Sequence, residues 1–254
     1  MKNQNSSIQV IDRAMALVTT LSEASGSLSL TRLAEQAGLH TASAHRILGA
    51  LIAHGLIEKT GAGEYDLGVR WLEVGNRLRA RLNIRQVAMP TLQKLAEETG
   101  ETVNLIVRRG DEAVYIERVS GGQTMIQVVQ VVGAHAPLHV TAVGKIFLAE
   151  DNESGVLGYA ERTGLPAFTP NTLTSLDALR GELGVIRCEQ LAYDREEAEQ
   201  GVACIGAPIR DAEGKLVAGL SISAPAERHK PGWVDALKRA AATIGAALGY
   251  QGGR

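Results

Sequence analysis

The chain has 254 residues, with 26 Lys and Arg against 28 Asp and Glu for a formal net charge of −2, and 45% of its residues are apolar but only 4% aromatic. That length supports two domains with separate cores, and the near-neutral charge sets the chain as a whole apart from polybasic nucleic-acid binders. No apolar run approaches a membrane span, the N-terminal MKNQNSSIQV lacks an apolar signal core, and Cys188 and Cys204 form neither a disulfide framework nor a zinc cluster, so a cytoplasmic protein is expected.

The charge is uneven. Residues 1–86 hold 10 Lys and Arg against 7 Asp and Glu, a net of +3, while residues 87–254 hold 16 against 21, a net of −5. Residues 1–7 are polar and predicted to be disordered. A helix is predicted over 8–22, with Ile11, Ala14, Met15, Leu17, Val18 and Leu21 inward. In the stretch SLTRLAEQAGLHTASAHRILGALIAHG at 29–55, Leu30, Leu33, Ala34 and Ala37 recur at helical spacing until Gly38 stops the pattern. After Leu39, Thr41 can cap a second helix whose apolar face is Ala44, Ile47, Leu48, Leu51 and Ile52. Two short helices joined at a glycine turn make a helix-turn-helix, which presents its second helix to the DNA major groove. The other face of that helix carries Thr41, Ala42, Ser43, His45 and Arg46, mostly groups that can read base edges and phosphates. Gly55-Leu56-Ile57-Glu58-Lys59, the turn Thr60–Gly63 and Glu64-Tyr65-Asp66-Leu67 predict a β-hairpin wing directly afterwards. The DNA-contacting set is therefore Ser29, Thr31, Thr41, Ala42, Ser43, His45 and Arg46, with Lys59 on the wing and Arg70 beyond it holding backbone.

A helix is predicted from 69 to about 88, with Trp71, Leu72, Val74, Leu78 and Leu82 among its apolar positions and Arg70, Arg77, Arg79, Arg81 and Arg85 crowding it. Met89-Pro90 marks a boundary, and TLQKLAEETG forms the next helix. Residues 102–108, 113–119 and 125–132 then read as three strands of an antiparallel meander. Further helices are predicted to about Ala149, over 154–163 and 175–188, and from 232 to about 248, with a strand hairpin over 202–210 and 215–223 before the last of them. The class is α+β: an N-terminal winged helix-turn-helix (8–69), a linker and dimerisation helix (70–88), and a GAF-like antiparallel sheet flanked by helices (89–251).

Three places in the second domain gather polar groups. Thr141-Ala142-Val143-Gly144-Lys145 is a tight helix entry whose backbone amides favour an anion. Asp194, Glu196 and Glu197 read as an acidic loop. Cys204 lies on one strand of the final hairpin, and Ser221 and Ser223, two apart, share a sheet face on the other. The competing reading of each is structural: a helix start packed on the sheet, a solvated loop, an inert core thiol. A different function would be a thiol hydrolase with Cys204 as nucleophile, His135 or His139 as base and Asp194 as orienter, but no motif joins them.

Residues 8–75 resemble the DNA-binding domain of the isocitrate-lyase-regulator (IclR) family of bacterial transcription factors. The resemblance is carried by Asp12-Arg13-Ala14, Leu33-Ala34, Gly38-Leu39, His45-Arg46-Ile47-Leu48, His54-Gly55-Leu56-Ile57 and Tyr65-Asp66-Leu67-Gly68. Residues 87–250 resemble the family's effector domain in PLHVTAVGKIFLA, in Pro170-Asn171-Thr172-Leu173-Thr174, in the block from Asp194 to Gly201–Pro208, and in GLSISAP. The resemblance implies a linker that contributes to dimer contacts and a small organic molecule, often a carboxylate, on one sheet face. It implies backbone amides from Ala142 and Val143, polar side chains from Asp194, Cys204, Ser221 and Ser223, and apolar walls from Met125, Val128 and Val202. Ala203 and Gly206 depart from the larger residues common in this block. The implied protein is a one-component regulator rather than an enzyme. It needs no cofactor or metal, binds double-stranded operator DNA as a dimer or dimer of dimers, and is controlled by an organic acid.

Overall fold

A computed structural model describes residues 9–79, 83–122 and 132–252. The chain divides into two compact units, Met1–Arg81 and Leu82–Arg254. None of the helices among the described residues is long and apolar enough to cross a membrane.

The first unit packs α1 (Gln9–Glu23), α2 (Leu30–Gln36) and α3 (Thr41–Ala53) around Leu17, Leu21, Leu33, Ala34, Ala44, Ile47 and Leu48. Both helix-turn-helix helices end in the same way. Leu39 N–H reaches back to the Ala34 carbonyl (2.8 Å) and Gly38 N–H to Glu35 (3.1 Å), with Gly38 at φ +67°. Leu56 and Gly55 repeat the pattern on Leu51 and Ile52 (2.9 Å each), with Gly55 at φ +69°. These are Schellman closures, and the left-handed backbone explains the two glycines. The wing is β1 (Ile57–Lys59) paired antiparallel with β2 (Tyr65–Leu67), and Leu28 adds a bridge to Tyr65. Helix α4 (Arg70–Arg79) follows, held by Trp71 Nε1–H donating to the Leu56 carbonyl (2.7 Å).

Three expectations change here. Thr41 is the first residue of α3; its N-cap is His40, which makes no side-chain cap, and it is Ser29 that caps α2. Ile11 and Met15 are 55% and 49% exposed, because they lie about 90° or more around α1 from the Leu17–Leu21 stripe. Ile52, at the rim of the α3 stripe, is exposed as well. Leu72 and Val74 on α4 are also exposed, while the side chains of Leu78 and Leu82 and the polar stretch 1–7 lie outside the described residues.

The second unit is built on a six-stranded antiparallel sheet in the order β5-β4-β3-β8-β7-β6. Its strands are β3 (Thr102–Arg109), β4 (Glu112–Val119), β5 (His135–Pro137), β6 (Ala192–Arg195), β7 (Val202–Arg210) and β8 (Leu216–Pro225). One face buries Val103, Leu105, Ile205, Leu220 and Ile222 under α5 (Ile84–Thr99) and α9 (Trp233–Ala247). The other packs Ile106, Tyr115 and Ala192 against α6 (Ala142–Glu150), α7 (Glu153–Thr163) and α8 (Leu176–Glu189).

The single helix expected over 69–88 is two helices, and Pro90 is no boundary. Helix α5 starts at Ile84, with Asn83 accepting from Arg85 N–H (3.0 Å), and runs through Pro90 to a left-handed Gly100 cap. A mid-helix proline removes one backbone hydrogen bond. Burial of Ala88, Leu92, Leu95 and Ala96 against the sheet outweighs that loss. The expected polar loop at 194 is strand β6, which pairs with β7. Most of the strand expected at 125–132, including Met125 and Val128, lies outside the described residues.

Candidate functional site

On α3, burial of Ala44, Ile47 and Leu48 turns the remaining face outward. Thr41, Ala42, His45 and Arg46 are exposed and Ser43 is half-buried. Thr31 is exposed in the first turn of α2, where Ser29 accepts from Arg32 N–H at 3.5 Å. Lys59 is exposed on the wing with Nζ 5.8 Å from the Tyr65 ring centre, and Arg70 is exposed at the first residue of α4. Gly68 has no room for a side chain, since a Cβ there would lie 2.1 Å from the Gly55 carbonyl oxygen. The Gly55–Gly68 contact, with the Trp71 bond, thus sets how the wing and Arg70 follow α3.

In the second unit the strand register gathers the polar side chains. Asp194 of β6 lies opposite Cys204 of β7, Cys204 opposite Ser223 of β8, and Ser223 opposite Thr102 of β3. The neighbouring row runs Gly206, Ser221, Asn104 and Arg118. Cross-strand partners point to one side of a sheet, here the side packed by α6. Asn104, Asp194, Ser221 and Ser223 are at most 4% exposed. Asn104 Nδ2 donates to Ser221 Oγ (3.2 Å) and Ser223 Oγ (3.0 Å), and Ser223 Oγ lies 3.1 Å from Cys204 Sγ. The Asp194 carboxylate accepts from the backbone N–H groups of Glu197 (2.7 Å) and Ala198 (3.4 Å). Burial nevertheless pushes Asp194 up to about 7, and burial and the Asp194 charge push the Cys204 thiol up as well, leaving it protonated. Val202 is buried on the same strand face as Cys204.

Helix α6 enters this face tightly. Thr141 caps it by accepting from Gly144 N–H (3.1 Å). Val143 sits in a trough left by two glycines: a Cβ on Gly219 would lie 2.3 Å from Val143 Cγ1, and one on Gly206 would lie 3.2 Å from Val143 N. Gly206 thus allows the first turn of α6, with Ala142 and Val143, to approach the Ser221 row. Asp194 and Cys204 also line a cleft of about 600 Å3, together with Glu182, Val185, Tyr193 and His229.

Sequence reasoning missed the support around these groups. Lys145 is fully buried, with Nζ 2.5 Å from Glu197 Oε2 and 3.4 Å from Glu182 Oε1. Glu197 is buried too, so this part of the acidic segment is not solvated. Thr172 Oγ1 donates to the Glu197 carbonyl (2.7 Å) and Asn171 Nδ2 to the Arg195 carbonyl (3.0 Å), so the Pro170–Thr174 motif fastens the turn after β6. Asn104 and Arg118 are visible only through strand register, which a single sequence does not supply.

The hydrolase constellation does not assemble. Both His139 ring nitrogens are engaged, by Tyr159 Oη (2.8 Å) and the Pro166 carbonyl (3.1 Å). His135 is on β5, paired with Glu112 at 2.7 Å, and four strand spacings of about 4.8 Å separate β5 from Cys204 on β7.

The bacterial transcriptional regulator IclR C-terminal model matches residues 77–247 and the IclR helix-turn-helix domain model matches residues 10–61. The HTH-type transcriptional regulator XynR of Escherichia coli is 33% identical over 248 residues, covering 96% of this chain and 98% of its own length. The crystal structure of Pseudomonas aeruginosa HmgR superposes with a TM-score of 0.83 at 27% identity, over 97% of this chain and 100% of that one. An IclR homologue from Microbacterium hydrocarbonoxydans, complexed with 4-hydroxybenzoate, superposes with a TM-score of 0.61 at 25% identity, over 94% and 98% of the two chains. Matched by both family models and by a regulator along nearly its whole length, the chain belongs to the IclR family of bacterial transcriptional regulators, which pair a DNA-binding helix-turn-helix with a C-terminal ligand-binding domain and are not enzymes.

Proposed function

We propose that this regulator works in the cytoplasm as a homodimer or dimer of dimers, reads a palindromic operator with α3, and is controlled by a small organic acid held on the α6 side of its sheet. The observation that carries the effector reading is the buried polar set Asn104, Asp194, Ser221 and Ser223, with half-buried Cys204 beside Ser223. Buried hydroxyls that a core does not need are costly unless they serve a ligand or each other. The first turn of α6, with the Ala142 and Val143 amides, adds helix-end polarity that favours an anion, and Val202 adds an apolar wall. Met125 and Val128 belong to the same proposed wall. The relative that binds 4-hydroxybenzoate supports an acid of this size. On the DNA side, Arg46 contacts a base or phosphate, with Ser29, Thr31, Thr41, Ala42, Ser43 and His45 beside it, while Lys59 and Arg70 hold backbone. The segment 70–88 joins the DNA-binding region 8–69 to the effector region 89–251 and takes part in dimer contacts.

The test is calorimetric titration of the full chain with acetate, lactate, benzoate and 4-hydroxybenzoate. At least one acid should bind, and Ser221→Ala should weaken it by roughly tenfold. Absence of binding by every acid, or binding indifferent to Ser221→Ala, removes the reading.

A further inference from the structure

The hydrogen-bond direction inside the polar set is fixed by one residue. Asn104 sits on β3 between β4 and β8 and is 2% exposed, so its amide has no water to turn to. Its Nδ2 lies 3.2 Å from Ser221 Oγ and 3.0 Å from Ser223 Oγ. An amide nitrogen only donates, so each serine oxygen is committed there as an acceptor and keeps its own O–H to give elsewhere. Among the described residues the hydrogen bond that Ser221 Oγ makes is the one it accepts from Asn104. Among the described residues the Ser223 hydroxyl has Cys204 Sγ at 3.1 Å, a weak acceptor that a ligand oxygen outcompetes.

We propose that Asn104 is a positioning residue that sets the polarity of the effector site, presenting Ser221 and Ser223 as a pair of O–H donors and so selecting a carboxylate over the isosteric primary amide. This rests on the reading of that face as an organic-acid site. A carboxylate offers acceptors on both oxygens and matches two donors. An amide of the same shape sets an NH2 group against one of them, and a buried mismatch of this kind costs about tenfold in affinity.

The experiment titrates the full chain with each acid of the panel and with its primary amide. The wild type should prefer the acid. In Asn104→Asp the carboxylate accepts from both serines, their lone pairs turn to the ligand, and the acid-to-amide affinity ratio should fall by about tenfold or more. Because a new buried carboxyl can unfold the unit, Asn104→Ala provides a second route. It should weaken acid binding by about tenfold in the wild-type chain and clearly less in a Ser221→Ala background, since it acts through the serine. A folded Asn104→Asp with the wild-type ratio, or an equal Asn104→Ala loss in both backgrounds, overturns the proposal while leaving the organic-acid site standing. If no acid binds the wild type, the site reading itself falls and this role falls with it.

Discussion

Water ordinarily keeps an aspartate ionised at neutral pH, but Asp194 has little of it. Burial dominates its titration and raises it to about 7, helped by the Glu197 charge and opposed by two backbone N–H groups and by Lys145. The other groups around it are Glu182 on α8, Cys204 on β7 and His229, which lines the same cleft, with Arg195 and Glu196 on its own segment. Between its usual value of 3.8 and about 7 the folded chain holds a proton that the unfolded chain releases. Stability therefore falls as pH rises through that window, by at most about 1.4 kcal/mol per pH unit, and levels off above it. Asp194→Asn keeps an acceptor for the Glu197 and Ala198 N–H groups and cannot ionise. Urea midpoints of the full chain at pH 5, 6, 7 and 8 should drop less steeply in this variant than in the wild type. Parallel profiles would mean that Asp194 is ionised throughout.

Elements meet at this site because small residues let them. Val143 seats α6 against β7 and β8 over Gly206 and Gly219, and at Gly219 the atoms that block a Cβ belong to the Val143 side chain. Gly219→Ala should therefore destabilise the chain by about 1–3 kcal/mol in urea denaturation and weaken acid binding, as α6 lifts from the sheet. Adding Val143→Ala should restore part of both; a double variant no better than Gly219→Ala would mean that the strand itself, not α6, is strained. None of this spacing is legible in one sequence. The helix-turn-helix was legible, because apolar spacing and the glycines at 38 and 55 are local signals that agree with one another. The antiparallel sheet with flanking helices followed from strand-rich segments and turns. What failed was non-local. Strand β6 is four residues long and reads as an acidic loop until its pairing with β7 is known. Pro90 reads as a boundary until the burial of α5 outweighs it. In the polar set, Ser221 and Ser223 announced themselves by alternation within one strand, whereas Asn104, which touches both, is 117 residues distant from Ser221 along the chain.

At the scale of the whole molecule the proposed control requires communication between a DNA-reading face and a ligand site carried on different compact units. The charge division, +3 over residues 1–86 and −5 over 87–254, leaves little non-specific phosphate attraction, so the proposed reading assigns operator affinity to specific groups such as Arg46 and to more than one reading helix per site. An effector alters that affinity only to the extent that it binds the DNA-competent and DNA-incompetent states differently. Thermodynamic linkage then makes the coupling reciprocal: whatever factor the acid imposes on operator affinity, commonly about 5- to 150-fold, the operator imposes on acid affinity. The DNA upstream of the protein's own gene serves as the operator probe. Its Kd is measured by anisotropy with and without saturating acid, and the acid's Kd by calorimetry with and without saturating DNA. The two ratios should agree. With Arg46→Ala, which should abolish the DNA shift, the same DNA should leave acid affinity at its free-protein value. If the acid shifts operator binding but the operator leaves acid binding unchanged, the acid acts at a step other than the proposed equilibrium, and control by a ligand held on the α6 face has to be abandoned.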